Sequence, residues 1–98
     1  MEVRVVDERT VDIIGNIKSI DDYNEIKRVT QQLASKGAKD MTINIRDSLS
    51  MVSSVIGYFM KLINVDTVKV HMNIWDERLY SLLEQLSLVD VFNARQMK

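Results

Sequence analysis

Apolar and polar positions follow two rhythms along this chain. Over residues 2–6 and 10–15 the β-branched Val3, Val5, Val11, Ile13 and Ile14 dominate, with the polar Asp7-Glu8-Arg9 between them. That pattern predicts two strands joined by a tight connection, hence an antiparallel hairpin. From Ser19 the step becomes three and four. Ile20, Tyr23, Ile26, Val29 and Leu33 form one stripe, and Asp22, Glu25, Lys27, Arg28 and Gln32 face away from it. The spacing predicts a helix opened by a capping box of Ser19 with Asp22 and closed at Gly37.

Alternation returns at Met41, Ile43 and Ile45, interleaved with Thr42, Asn44 and Arg46, and again at Val68, Val70 and Met72, interleaved with Thr67, Lys69 and His71. Both segments read as half-buried strands. Between them, residues 50–63 carry Val52, Val55, Ile56, Phe59, Leu62 and Ile63 at helical steps, with Ser54, Gly57, Tyr58 and Lys61 on the opposite side. This second helix opens on two hydroxyls, Ser53 and Ser54, and its outward side is short-chained where an ordinary solvated face is crowded with charge. Trp75, Leu79, Leu82, Leu83 and Leu86 define a third amphipathic helix, capped by Asn73 or Asp76. Leu88, Val89, Val91 and Phe92 form a last apolar patch expected to fold back onto the core, with residues 93–98 as a loose tail.

The order β-β-α-β-α-β-α predicts an α/β domain. Strand–helix–strand units give parallel neighbours and right-handed crossovers, so the expected sheet is small and mixed, mostly parallel, of about four strands. A parallel sheet covered on both faces would read as continuous apolar runs. The alternation here instead predicts helices gathered mainly on one face and an opposite face at least partly open.

Composition narrows the partners. With 98 residues the chain makes one domain, and 46% hydrophobic residues suffice for one core. Its 13 basic and 14 acidic residues are interspersed, for a formal net charge of −1, so no basic field draws nucleic acid or anionic lipid. There is no cysteine, which removes disulfides, thiol nucleophiles and zinc–thiolate sites together and suits a reducing compartment. The N-terminal Met-Glu-Val-Arg-Val-Val lacks the pattern of a signal peptide, and no apolar run reaches the roughly 18 residues of a membrane span. The expectation is a soluble cytoplasmic protein that does not insert in membranes and is a monomer or weak dimer.

Little in the chain suggests catalysis, so the expectation is a protein that is not an enzyme and holds no cofactor or metal. The one histidine, His71, sits on the polar side of a strand with no serine or carboxylate foreseeably beside it. Asp21 and Asp22 are neighbours on a helix and point in different directions, which fits capping better than metal binding. Met41, Met51, Met60 and Met72 read as core filler. No glycine-rich phosphate loop is present. What stands out is Ser53 and Ser54 at a helix start, where unpaired N–H groups favour a cap or a phosphate. A glycine follows one turn later at position 57.

In this arrangement the chain resembles the STAS domain family, the fold of sulfate transporter tails and of bacterial anti-sigma factor antagonists. The likeness spans nearly the whole chain. Val11-Asp12-Ile13-Ile14-Gly15 and the Ser19–Gly37 helix match the family's strand–Gly–helix opening. Ile43-Asn44-Ile45, then Val52-Ser53-Ser54-Val55-Ile56-Gly57, then Tyr58 to Ile63 match its central strand and switch segment. Trp75 to Phe92 match its closing segment. The chain departs from the family pattern at Val52 and Asn44, where aspartates are usual, and at Val55, where a glycine is usual. The resemblance implies a regulatory protein–protein module working by partner switching in signal transduction and transcription regulation. Its partner would be a serine kinase that is also an anti-sigma factor. It further implies that Ser53, or Ser54 beside it, accepts phosphate, and that Ser50, Ser53, Ser54, Gly57, Tyr58 and Lys61 meet the partner. The alternative it offers is a constitutive STAS subunit without phosphorylation, as in the ATPase part of a lipid-transport ABC system or in a signalling scaffold.

Overall fold

A computed structural model describes all residues from Met1 to Lys98. The first strands are β1 (Glu2–Asp7) and β2 (Thr10–Ile14), followed by helix α1 (Ile20–Ser35) and strand β3 (Asp40–Arg46). Helix α2 (Ser53–Asn64), strand β4 (Lys69–Ile74), helix α3 (Glu77–Gln85) and strand β5 (Ala94–Gln96) complete the chain. The sheet has five strands in the order β1-β2-β3-β4-β5, with β1 antiparallel to β2 and every later neighbour parallel.

The fifth strand corrects the expectation of four strands and a loose tail. Ala94, Arg95 and Gln96 pair with Met72, Asn73 and Ile74, and the Met97 N–H donates to the Ile74 carbonyl at 2.7 Å. Asn93 turns the chain into this strand at φ 47°, a left-handed conformation that asparagine tolerates, while its side-chain amide donates to the Val70 carbonyl at 2.9 Å.

Strand order follows chain order without reversal. Parallel crossovers share one hand as a rule, so three that all step in one direction place α1, α2 and α3 on the same side of the sheet. Burial agrees. Val11, Ile13, Met41, Ile43, Ile45, Val70, Met72 and Ile74 are buried, and their alternates Thr10, Asp12, Thr42, Asn44, Arg46, His71 and Asn73 are only half-buried. The buried set meets Ile26, Val29 and Leu33 of α1, Val55, Phe59 and Leu62 of α2, and Leu79 and Leu83 of α3 in one core.

The uncovered face carries an ordered polar row. The Asn73 amide donates to the Asn44 Oδ1 at 2.9 Å, and the Asn44 amide donates to the Asp12 Oδ1, also at 2.9 Å. These three residues are direct register partners across β4, β3 and β2. An aspartate at 44 would set two carboxylates side by side, and asparagine avoids that repulsion while bonding on both sides. Beyond the row, the Arg46 guanidinium lies 3.9 Å over the Trp75 ring. Trp75 therefore sits just past β4 against Arg46, not on the apolar stripe of α3 as the sequence pattern indicated.

Both predicted features of α1's ends form. Ser19 accepts from the Asp22 N–H at 3.1 Å, and Asp22 Oδ2 accepts from the N–H groups of Lys18 and Ser19. Those bonds, the Lys18 one foremost, hold the Asp22 carboxyl below the usual carboxylate range. At the other end Gly37, at φ 100°, and Ala38 donate back to Ala34 and Leu33 in a Schellman closure. Ser19→Ala is expected to cost about 1 kcal/mol of stability. Urea unfolding checks this, and a loss below about 0.3 kcal/mol contradicts the capping role.

Candidate functional site

The serines sit past the carboxyl end of β3, on a segment pinned to the loop after β2. Gly15 N–H donates to the Arg46 carbonyl at 2.9 Å, and Ile17 and Met51 form a short parallel bridge. The Ser48 hydroxyl accepts from the Ile17 N–H at 3.1 Å and donates to the Ser50 carbonyl at 2.7 Å. The Leu49 N–H donates to Asn16 Oδ1 at 3.0 Å. Ser48 is fully buried, while Ile17 and Met51 anchor the two loops in the core. Residues 48–52 are thus held at both ends. Sequence reasoning missed Ser48 and Asn16 because a run such as Asp47-Ser48-Leu49-Ser50 does not mark which serine turns inward.

Helix α2 begins at Ser53 with Val52 as N-cap, and no side chain caps it. This corrects the reading of a serine cap, since Ser53 and Ser54 are the first two residues inside the helix. The N–H groups of Val55 and Ile56 both reach the Val52 carbonyl, at 3.0 and 3.2 Å, while those of Ser53 and Ser54 have no acceptor in the chain. No acidic residue occupies the first turn. The helix start therefore keeps its partial positive charge beside two exposed hydroxyls.

Of the residues assigned to the contact surface, Ser50, Ser53, Ser54, Gly57 and Lys61 are exposed, together with Met60 and Asn64. Met60 is accordingly surface and not core filler. Tyr58 departs from the expectation. Its ring is buried against Tyr23 and Phe59, with ring centroids 6.2 and 5.8 Å away. Its hydroxyl lies 2.6 Å from that of Thr30. The Thr30 hydroxyl is 2.8 Å from the Ile26 carbonyl, which can only accept, so the Tyr58 O–H donates to Thr30. Burial pushes the Tyr58 phenol up from its ordinary value. Tyr58 joins α2 to α1 and is withdrawn from the outer face. Val55 is also fully buried, so the bulk it carries where the resemblance expects a glycine lies in the core and not on the contact side.

Gly57 is the bare point of the surface. A methyl group built on it meets no atom within 4 Å beyond its chain neighbours and the backbone of its own helix. A glycine inside a helix costs about 1 kcal/mol relative to alanine, and no close packing accounts for it here. Next to the serines, Leu49 and Ser50 of the pinned loop face Glu77, Arg78, Ser81, Leu82 and Gln85 of α3 across a shallow depression of about 520 Å³. Its two apolar lining residues are exposed Leu49 and half-buried Leu82.

Elsewhere the chemistry is sparse. His71 Nε2 lies 2.9 Å from Asp40 Oδ1, a carboxylate neighbour that the sequence pattern did not foresee. The pair is solvent-facing and stands at the end of the sheet where β3 begins, away from the serines. No three of the acidic and histidine side chains cluster as metal ligands would. No helix is long and apolar enough to cross a membrane. An unreversed strand order also provides no switch point, the place where open α/β sheets build a ligand crevice. Compared with family models, curated proteins and solved structures, the chain matches none of them.

Proposed function

We propose that this chain is a STAS-like regulatory interaction module, non-enzymatic, that docks a protein partner on the outer face of α2. Ser50, Ser53, Ser54, Gly57 and Lys61 would form the contact, and Tyr58 would support it from beneath. The single observation that carries this reading is Gly57, a destabilising glycine with open space around it, one turn beyond two exposed hydroxyls. A partner that lies close to the helix backbone gives that glycine a purpose that the chain's own packing does not.

Partner switching by phosphate at Ser53 is the form of regulation that the resemblance implies. A phosphoryl group adds about −2 charge. The free N–H groups of Ser53 and Ser54 can stabilise that charge in the isolated protein, whereas a partner laid over the same spot would have to desolvate it. One observation favours the constitutive alternative. Val52, half-buried and apolar, stands before Ser53, so no neighbouring carboxylate orders the hydroxyl for a kinase.

Two substitutions test the docking surface. Gly57→Ala is expected to raise stability by about 1 kcal/mol in thermal unfolding while weakening capture of the native partner from cell extract. If stability rises and capture is undiminished, the docking role of this face fails. Ser53→Asp is expected to weaken the same complex by about tenfold, with Ser53→Ala close to wild type. Full binding by Ser53→Asp removes the switch and leaves the constitutive reading, which predicts co-purification insensitive to phosphatase.

A further inference from the structure

Of the two edge strands of the sheet, β1 is the longer, six residues against three in β5. β1 pairs only with β2, so half of its backbone N–H and C=O groups have no strand partner. Short length, charged side chains, a bulge or proline normally blunts such an edge. β1 runs six residues without proline; its charges, Glu2, Arg4 and Asp7, lie on the open face, and its one irregularity falls at the far end, between Val5 and Asp7. The ladder with β2 divides the side chains cleanly. Val3 and Val5 oppose the buried Ile13 and Val11 on the helix-covered side, and Glu2 and Arg4 oppose Ile14 and Asp12 on the open side. On that side Val5 is 50% and Met1 38% exposed.

From this edge we infer that two copies of the chain pair antiparallel through β1, about a two-fold axis at Val3, into one continuous ten-stranded sheet. The register follows from side-chain faces and charge. Directly opposed residues of an antiparallel pair share a face, so the axis must pass through a residue and pair positions of equal parity. An axis at Glu2 opposes two carboxylates, and one at Arg4 opposes two guanidinium groups. An axis at Val5 runs into the register irregularity between Val5 and Asp7. Only the axis at Val3 sets Glu2 against Arg4 of the second copy, twice by symmetry. Within one copy Arg4 Nη2 already lies 2.9 Å from Glu2 Oε2, so the four side chains close into a square of alternating charge. On the other side Val3 meets Val3, and Met1 meets Val5, which covers the apolar rim. The interface is isologous and closes at two copies. It lies on the strand side of the molecule and leaves the α2 surface free, so it stands independently of the functional proposal.

The test is a charge exchange on the full chain, read by sedimentation equilibrium at low salt up to about 1 mM protein, where weak pairs register. Wild type is expected to dimerise. Glu2→Arg alone and Arg4→Glu alone each oppose like charges and are expected to weaken the dimer at least about tenfold. An equimolar mixture of the two single variants restores opposite charges at every contact and is expected to associate as a heterodimer. The double variant, Glu2→Arg with Arg4→Glu, is expected to dimerise on its own. Both sites are exposed, and unchanged circular dichroism confirms that each variant folds. A wild type that stays monomeric overturns the inference. So do single variants that dimerise undiminished, or a mixture that fails to associate, since another edge or another occupant is then responsible.

Discussion

Phe92→Ala is expected to lower the unfolding free energy by about 3–5 kcal/mol, well beyond the loss of a helix cap. Phe92 is fully buried and meets the Phe59 ring edge to face, with centroids 6.1 Å apart. Truncation would remove that pair and leave a cavity between the chain's closing segment and α2. The same residue fastens the fifth strand. Its carbonyl accepts from the Met72 N–H at 3.2 Å, and its own N–H donates to the Leu88 carbonyl at 3.0 Å. A domain of this size holds about 5–15 kcal/mol in total. The substitution would therefore consume a large share of it, and the melting temperature should fall by at least about 12 °C at 4–8 °C per kcal/mol. Guanidinium unfolding gives the free energy, and hydrogen exchange of residues 94–97 reports whether β5 has come loose. A loss below about 1.5 kcal/mol, the range of a volume-conserving swap, would show that the closing segment does not anchor the core.

That anchor also shows where the sequence was readable. The run of strands and helices up to α3 was legible because each element repeats its own period several times over. Nine or more residues of helical spacing, or three consecutive alternations, outvote any single exception. β5 was not legible. Ala94-Arg95-Gln96 offers one apolar side chain in three, and its pairing is set from outside, by Phe92 in the core and Asn93 in a left-handed turn. Tyr58 shows a different limit. It lies three residues after Val55 and four before Leu62, so its position falls within the buried arc, and only its hydroxyl argued for the surface. Thr30, on another helix, satisfies that hydroxyl, and no local pattern reveals a partner 28 positions away. Ile20 errs in the opposite direction. It extends the apolar stripe of α1 on paper but is 74% exposed, because the helix starts beyond the edge of the core. Of the contact surface, the exposed serines and Gly57 could be read from helical spacing. The pinning that holds them could not, because it joins residues 31 and 33 positions apart.

Ser48→Ala is expected to cost about 1–3 kcal/mol, the penalty of leaving a buried backbone donor without its acceptor. The Ile17 N–H has the Ser48 hydroxyl as its acceptor, at 3.1 Å in a fully buried setting, and alanine is too small and too apolar to replace it. Two consequences separate this from an ordinary core substitution. The same hydroxyl donates to the Ser50 carbonyl, so its loss frees the turn that leads into α2. Hydrogen exchange should therefore quicken at Ile17 and Leu49, whose N–H groups are bonded across the two loops, more than over the sheet, while β4 and α3 keep their protection. Binding should respond as well. A partner that reads Ser50 from a fixed loop, and Ser53 and Ser54 from the helix start that the loop positions, would have to order that loop first, and its affinity should fall although no contact residue has changed. Ser48→Thr keeps the hydroxyl and is expected to retain part of the bond. If Ser48→Ala destabilises the fold yet leaves exchange at Leu49 and partner capture unaltered, the hydroxyl serves the core alone and the loop is held by Met51 and Asn16.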